Sequence, residues 1–164
     1  MDHLETQRLR LRPLTFDDVP ALTEGLFTDP HVTWDGQVYG EADAHALVEA
    51  KRRHLAEHGF GMLGVEDRAS GELLGYAGVQ HLEGGDELEL GYYLRRSAWG
   101  RGLGTELARL LTDAAFRELG TDTIVAVVRP QNAASKHVLE KTGFRSDGLG
   151  HHYGADVEVW RVRH

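Results

Sequence analysis

The sequence predicts one α/β domain over residues 1–164, built on a mixed β-sheet. Three observations predict this class. Apolar residues recur at helical spacing in several segments, three short apolar runs in the middle of the chain are separated only by turn residues, and later runs alternate with helices. Turns between strands favour antiparallel pairing, whereas a helix between two strands favours parallel pairing. The expected order is β-α-α-β-β-β-α-β-α-β-β, with an antiparallel N-terminal part and a parallel central pair.

The first three elements are expected before residue 59. Alternating leucines and arginines over 8–14 predict a strand. Thr15 and Asp18 have the spacing of a capping box, which predicts a helix through Leu26. A second helix is expected over 41–58, because its apolar residues have helical spacing and a glycine follows it.

Strands and helices then continue to the end of the sequence. The three strands of the expected meander cover 62–66, 73–79 and 87–94. The remaining elements, in order, are a helix from Leu103 to near Gly120, a buried strand over 123–128, a short helix that Asn132 caps and Gly143 closes, and two strands over 144–149 and 157–162.

The composition limits the classes of function. The chain has 26 acidic and 18 basic residues and a formal charge of −8 at pH 7. This balance disfavours nucleic acid and anionic membranes as partners and suits a cationic substrate such as an amine. Cysteine is absent, which excludes disulfides and thiolate metal sites and favours a cytoplasmic protein. No apolar run approaches the ~18 residues of a membrane span.

The most informative segment is the glycine-rich stretch between the meander and the next helix. Gly100, Gly102 and Gly104 alternate there, and three arginines lie between residues 95 and 105 without an acid. Glycines permit a tight turn with no Cβ to keep a ligand away, and the first turn of a helix offers unpaired N–H groups to an anion. The loop predicts a pyrophosphate site, the alternative being a plain strand-to-helix turn.

Two common phosphate loops do not match this stretch. A Walker loop requires a lysine after its glycines, and none follows here. A dinucleotide fingerprint requires G-x-G-x-x-G on a first β-α unit, whereas the spacing here is G-x-G-x-G and comes after residue 95. The segment from Trp99 to Gly104 instead resembles the pyrophosphate loop of the GNAT superfamily of N-acetyltransferases, with Trp99 where that family commonly has Gln or Arg.

Further motifs occur in the order of that family, namely 6–14, 29–32, 89–94, 132–135 and 140–144. The sequence is most similar to the branch that acetylates the N-terminal alanine or serine of ribosomal proteins. The resemblance implies the GNAT fold, acetyl-CoA as co-substrate without a metal, and acetyl transfer to a primary amine by direct attack on the thioester; dimers are common in the family. The acceptor is a protein N-terminal amine or a small-molecule amine, and a non-catalytic acyl-CoA-binding protein of this fold is a further alternative.

The resemblance also implies the residues that bind acetyl-CoA. The backbone at Leu94 pairs with the pantetheine arm, the glycine loop holds the pyrophosphate, and Ser135 donates a hydrogen bond to the sulfur. Many relatives carry a tyrosine acid at the position of Leu139, so that group is missing here. The implied cofactor-binding residues are Leu94, Arg96, Trp99, Gly100, Arg101, Gly102, Leu103, Gly104, Thr105, Asn132 and Ser135. For Asn132 and Ser135 the alternative is a purely local role at a helix start.

Glu89 is the candidate base. It alternates with leucines on a strand that is expected in the core, where a carboxylate is costly unless it has a partner. Gly91 beside it leaves room for a ligand. Because an ordinary glutamate pKa of ~4.3 is far below that of an amine, proton removal through water is expected rather than direct removal. Glu87 is a weaker candidate, and the alternative for Glu89 is a structural pair with an arginine.

Three aromatic residues are candidate contacts for the acceptor. Trp34 and Tyr39 lie between the first two helices, in a segment that lines the acceptor channel in the family, and Tyr153 lies near the C-terminus. Aromatic rings with Asp35 beside them suit an amine, although ordinary loop packing explains such residues equally well.

The histidines raise a metal alternative. His54-Leu55-Ala56-Glu57-His58 fits H-x-x-E-H on a predicted helix. The pair falls in the last turn, after three basic residues, where cations favour the helix dipole. A solvated basic helix end is therefore favoured, and no metal site is predicted.

Overall fold

A computed structural model describes residues Met1–His164. Its strands are β1 (Leu4–Glu5), β2 (Leu9–Arg12), β3 (Met62–Asp67), β4 (Leu73–His81), β5 (Leu88–Leu94), β6 (Thr123–Val128), β7 (Arg145–His152) and β8 (Ala155–Arg163). Its α-helices are α1 (Val19–Leu22), α2 (Glu41–His58), α3 (Leu103–Leu119) and α4 (Ala133–Lys141). The eight strands are hydrogen-bonded in the order β1-β2-β3-β4-β5-β6-β8-β7. The predicted class, an α/β protein with one mixed sheet, is confirmed. None of the helices is long and apolar enough to cross a membrane.

The chain divides into two compact units, and β4 and β5 each run through both. The first unit comprises Met1–Gly78 and Tyr92–Leu103, and the second comprises Val79–Gly91 and Gly104–His164. The expectation of a single domain over 1–164 stays a prediction.

The first unit contains the antiparallel part of the sheet. β1 pairs with β2, β2 with β3 and β3 with β4, all antiparallel. α2 begins and ends as predicted, and Gly59 closes it with a φ of 76° while its N–H donates to the Leu55 carbonyl at 2.8 Å. The apolar core of this unit is built from Leu14, Val19, Leu22, Leu26, Val32, Ala44, Val48, Met62, Leu73 and Tyr76.

The helical segment predicted through Leu26 is present, but it is not a continuous α-helix. The capping box is present, because the Thr15 N–H donates to the Asp18 carboxylate at 2.8 Å. The chain then passes through a 3₁₀ turn over Phe16–Asp18, the four residues of α1 and a π-helical turn over Thr23–Phe27. The widened turn contains Gly25, where a Cβ would lie 2.2 Å from the Arg95 guanidinium. The arginine therefore occupies the space that a side chain at position 25 would need.

The second unit contains the parallel pair. β5 and β6 pair in parallel at Glu89 and Val125, as predicted. β6 then pairs antiparallel with β8, and β7 pairs only with β8. A strand–helix–strand unit predicts that β6 and β7 pair in parallel. They do not pair, because β8 lies between them.

α4 has the predicted ends. The Ser135 N–H donates to the Asn132 side chain at 3.1 Å, which makes Asn132 the N-cap. Gly143 has a φ of 92°, and the Phe144 N–H donates to the Leu139 carbonyl at 3.0 Å. Phe144 and Leu139 are both buried.

Candidate active site

The glycine loop has the conformation that its sequence requires. After β5 the chain makes a 3₁₀ turn over Arg96–Ala98 and enters α3 at Leu103. Gly100 and Gly102 lie in the left-handed region, with φ of 74° and 76°, which side chains other than glycine's rarely adopt. Both residues are exposed. The loop therefore presents backbone to solvent directly before the N-terminus of a 17-residue helix.

The other predicted loop residues differ in exposure. Leu103 is buried and anchors the start of α3. Gly104 and Thr105 are half-buried in its first turn, and the Arg101 side chain is largely exposed, with Nη2 3.7 Å from the Asp67 carboxylate. Arg101 thus lies beside the loop as a solvent-exposed basic residue in a long ion pair with Asp67.

Arg8 is a basic residue at this loop to which the sequence analysis gave no role. Its Nη1 donates to the Arg101 carbonyl at 2.9 Å, and a Cβ at Gly102 would lie 3.8 Å from its Nη2. The neighbouring arginines of the same strand are engaged by carboxylates, Arg10 by Glu5 and Arg12 by Asp18. Three alternating arginines were visible in the sequence, but 93 residues separate Arg8 from Arg101.

Arg96 and Trp99 are engaged within the protein. Arg96 donates to both carboxylate oxygens of Asp29, at 2.9 and 2.8 Å, and this hydrogen bonding lowers the pKa of Asp29 to about 2. The Trp99 Nε1 donates to the Leu94 carbonyl at 2.8 Å, so the indole covers the end of β5. Arg96 therefore fixes the 29–32 segment, and the Leu94 carbonyl already has a donor.

Glu89 lies in the second unit and is buried, as the strand pattern predicts, with an exposed fraction of 6%. The Tyr153 hydroxyl hydrogen-bonds to its Oε2, and the Gln80 amide donates to the same oxygen at 3.4 Å. Tyr153, predicted as an acceptor contact, is therefore a partner of the candidate base. The weaker candidate Glu87 is half-exposed and accepts from Arg161 at 2.7 Å. The arrangement favours Glu89.

Tyr153 is held in place by a hydrogen bond to Glu83, and both residues have unusual backbone angles. Tyr153 and Glu83 have φ of 54° and 49°, and they are the two non-glycine residues with positive φ. The Tyr153 N–H donates to the Glu83 carboxylate, whose other oxygen lies 3.2 Å from Nδ1 of His152. Residues in sparsely populated backbone regions persist only where their surroundings fix them, and they cluster at functional sites.

The start of α4 carries both polar residues that the family resemblance implies. The Asn132 oxygen caps the helix, and Ser135 is half-buried in the first turn. Leu139 is 1% exposed, so the position of the missing tyrosine belongs to the core.

The first unit contains a cavity of about 450 Å³, and Trp34 and Tyr39 both line it. Tyr39 donates to the Asp35 carboxylate. This hydrogen bond is the main cause that raises the pKa of Tyr39, so the hydroxyl stays protonated at neutral pH. Tyr76 and Tyr93, which the sequence analysis did not single out, stack at 5.0 Å between ring centroids and line the same cavity. The sequence feature that could have identified them is an aromatic residue on each of two predicted strands.

The histidine pair is built into the end of α2. The rings of His54 and His58 lie 4.5 Å apart between centroids, and Nδ1 of His54 lies 2.9 Å from the Phe60 carbonyl. The first imidazole is thus part of the helix-closing turn.

Comparison with known proteins places this geometry in a family. The sequence model of the acetyltransferase (GNAT) domain family matches residues 8–145, which contain the glycine loop, Glu89 and α4. The chain belongs to the GNAT acetyltransferase family. The enzyme class predicted from the sequence, an acetyl-CoA-dependent N-acetyltransferase, is confirmed at this level.

Similar proteins cover nearly the whole chain. YkkB of Bacillus subtilis, an uncharacterized protein, is 32% identical over 160 residues, which are 96% of this chain and 89% of YkkB. The crystal structure of an acetyltransferase from Agrobacterium tumefaciens superimposes with a TM-score of 0.85 at 32% identity and covers 100% of this chain and 95% of its own. RimJ of Mycobacterium smegmatis, in complex with CoA-disulfide, has the same fold, with a TM-score of 0.80 at 24% identity and coverage of 99% and 87%.

Proposed function

We propose that this GNAT protein transfers the acetyl group of acetyl-CoA to a primary amine, with the diphosphate of the donor bound at the loop from Gly100 to Thr105. The observation that carries the proposal is the loop itself: two left-handed, exposed glycines directly before a long helix. Left-handed glycines let backbone N–H groups approach an anion closely, and the helix N-terminus adds its partial positive charge. Arg101 and Arg8 supply the countercharges beside that backbone.

Glu89 is the residue proposed to take the amine proton. The amine nitrogen forms a bond to the acetyl carbon, the carbon–sulfur bond breaks, and the nitrogen loses one proton while the thiolate gains one. A buried carboxylate that accepts hydrogen bonds from Tyr153 and Gln80 is fixed in orientation. Transfer through a water molecule fits the low basicity of a carboxylate.

Ser135 is proposed to hydrogen-bond the departing thiolate, because its hydroxyl lies in the first turn of α4 and Leu139 supplies no acid. The proton that the thiolate gains then comes from solvent. A cytoplasmic location, a homodimer and the protein N-terminal amine as acceptor stay predictions from the sequence.

The test is a calorimetric titration with acetyl-CoA. Arg101→Glu reverses the charge beside the loop without placing a side chain at a left-handed glycine, so the backbone keeps its conformation. We expect the wild type to bind saturably and Arg101→Glu to bind at least about tenfold more weakly, since one charge-assisted contact contributes roughly 1.5–3 kcal/mol.

Arg117→Glu is the matched control, because it makes the same charge change on an exposed residue in the last turn of α3. It should bind as the wild type does. Equal weakening in both variants would mean a general charge effect, and absence of binding by the wild type would refute the proposal.

A further inference from the structure

The cavity of the first unit is lined by three kinds of side chain. Its aliphatic walls are formed by Leu26, Val32, Ala46 and Leu47. Two carboxylates and a threonine contribute polar groups. The aromatic residues that line it are Phe27, Trp34, Tyr39, Tyr76 and Tyr93. A volume of about 450 Å³ lies within the range of small-molecule sites, roughly 300–1,000 Å³.

The aromatic rings are fixed in orientation. Phe27 and Tyr39 meet edge to face at 6.2 Å between centroids, and the Tyr39 N–H donates to the Phe27 carbonyl at 2.8 Å. Tyr76 and Tyr93 are stacked, and burial raises the pKa of Tyr76 well above its ordinary value. Rings held in this way present preformed faces and edges to a ligand, at little cost in side-chain ordering.

The charge of the lining has one sign. Asp35 and Asp43 are its only charged residues at neutral pH, and no lysine, arginine or histidine lines the cavity. Each carboxylate has fixed partners: Asp35 accepts from the Gln37 N–H at 3.0 Å, and Asp43 from the Gly40 N–H at 2.9 Å. Aromatic faces and fixed carboxylates together attract a cation.

The cavity does not have the features of a site for extended peptide backbone. Such a peptide usually pairs with an open strand edge. Tyr76 comes from β4 and Tyr93 from β5, which are both inner strands of the sheet, and the other lining residues come from α2 and the segment between residues 26 and 39. Side chains rather than a strand edge therefore define what fits.

From this lining we infer that the cavity binds the body of the acceptor, and that the acceptor is a small cationic amine with an aromatic or comparably apolar ring, of the arylalkylamine class. This inference rests on the proposed acetyltransferase function. The ring contacts the aromatic and aliphatic walls, while Asp35 and Asp43 attract the ammonium form. Before transfer the ammonium loses one proton to solvent. The neutral amine nitrogen then bonds to the acetyl carbon, the carbon–sulfur bond breaks, the nitrogen loses a second proton and the CoA thiolate gains one. The product amide is neutral and no longer carries the charge that the carboxylates attract.

The experiment titrates the protein with 2-phenylethylamine by calorimetry, in the absence of acetyl-CoA. The matched neutral probe is 2-phenylethanol, which keeps the ring and removes the charge. We expect the amine to bind and the alcohol to bind about tenfold more weakly or worse. Equal affinity for the two probes, or no binding of the amine, would overturn the inference.

Asp35→Asn tests the carboxylate without removing the acceptor oxygen for the Gln37 N–H, and it should weaken binding of the amine roughly tenfold. Asp43→Asn should also weaken binding of the amine. It is an independent test, because any structural effect of this substitution falls on the start of α2 and not on the loop around Asp35. The control is Asp17→Asn, an exposed aspartate outside the lining, which should leave the affinity unchanged. If both cavity variants bind like the control, the site is wrong.

A transfer assay separates this inference from the proposed function. Acetylation of a peptide N-terminal amine without binding of 2-phenylethylamine would refute the arylalkylamine class and keep the enzyme. Binding of 2-phenylethylamine without acetylation of any amine would refute the inference that this cavity holds an acceptor, and would count against the proposed function as well.

Discussion

The hydrogen bond between Tyr153 and Glu89 fixes the orientation of the candidate base. Glu89 is buried among apolar strand residues, where an isolated carboxylate would be unfavourable, and the phenol hydroxyl supplies the required donor. The strained turn around Tyr153 is in turn held by Glu83. Orientation of the candidate base therefore depends on a contact between two residues with unusual backbone angles.

Glu89→Gln should lower kcat by about 10²–10⁴ and leave the affinity for acetyl-CoA unchanged, since general base catalysis contributes that range and the donor is expected at a different group of residues. Steady-state kinetics and calorimetry on the same preparation measure both quantities. Glu87→Gln is the control, because Glu87 is half-exposed and paired with Arg161. A Glu87 variant as slow as the Glu89 variant would contradict the assignment.

The residues of the candidate site differ in how far the sequence alone could predict them. Strand alternation alone marks Glu89 as a buried acid. Its partner Tyr153 is 64 residues away, and nothing local connects the two. Arg8 was missed for the same reason, because only the folded chain brings it to Arg101. Local patterns specify burial, whereas long-range pairing depends on strand order.

At the scale of secondary-structure elements, the close approach of backbone segments determines which residues β4 can carry. β4 carries Gly75, where a Cβ would lie 1.9 Å from the Tyr93 carbonyl oxygen, and Gly78, where it would lie 2.1 Å from the Gly61 carbonyl oxygen. Both obstacles are backbone atoms, which cannot move aside as a flexible side chain can. Glycine at these positions therefore follows from the packing of the sheet and not from a turn.

Gly75→Ala should destabilise the protein by more than about 2 kcal/mol, because the added methyl group forces β4 and the end of β5 apart. Urea unfolding followed by circular dichroism measures the change. Gly40→Ala is the control, because its φ is −117° and a Cβ there meets nothing within 4 Å, so only the smaller loss of a glycine N-cap at the start of α2 is expected. Similar losses in both variants would show that the clash is relieved at little cost.

The starts and stops of helices were predicted well from their caps, whereas the type of helical turn inside the first helical segment was not. α2 and α4 have the expected starts and stops because Gly59, Asn132 and Gly143 act locally. The segment after Thr15 was predicted as one helix, whereas its end is π-helical, with the Thr28 N–H donating to the Thr23 carbonyl five residues back, a detail that apolar spacing does not specify. β1 was missed because a two-residue strand exists only by pairing with β2.

Ion pairs make the stability of the whole molecule depend on pH. Hydrogen bonds from Arg96 are the main cause that lowers the pKa of Asp29 to about 2, compared with an unfolded value of ~3.9. Hydrogen bonding with Arg10 likewise lowers the pKa of Glu5. A carboxyl group with a depressed folded pKa contributes stability above its unfolded pKa, and that contribution is lost as the pH falls through the folded value.

Asp29→Asn should therefore flatten the pH profile of stability. The wild type should lose free energy of unfolding between about pH 4 and pH 2 more steeply than the variant, since the variant has no proton to bind at this position. Urea denaturation at a series of pH values measures both profiles. Parallel profiles would mean that the Asp29–Arg96 pair contributes little in solution.

The position of β8 between β6 and β7 has a consequence for synthesis on the ribosome. β6 and β7 both precede β8 in the chain, and neither can complete its strand hydrogen bonds until β8 has been synthesised. Until then the apolar residues of β6 are exposed on a nascent chain with open strand edges, a state that favours association with chaperones or other chains. The sheet of the second unit is therefore completed only after β8 has emerged, and its folding depends on when that strand becomes available.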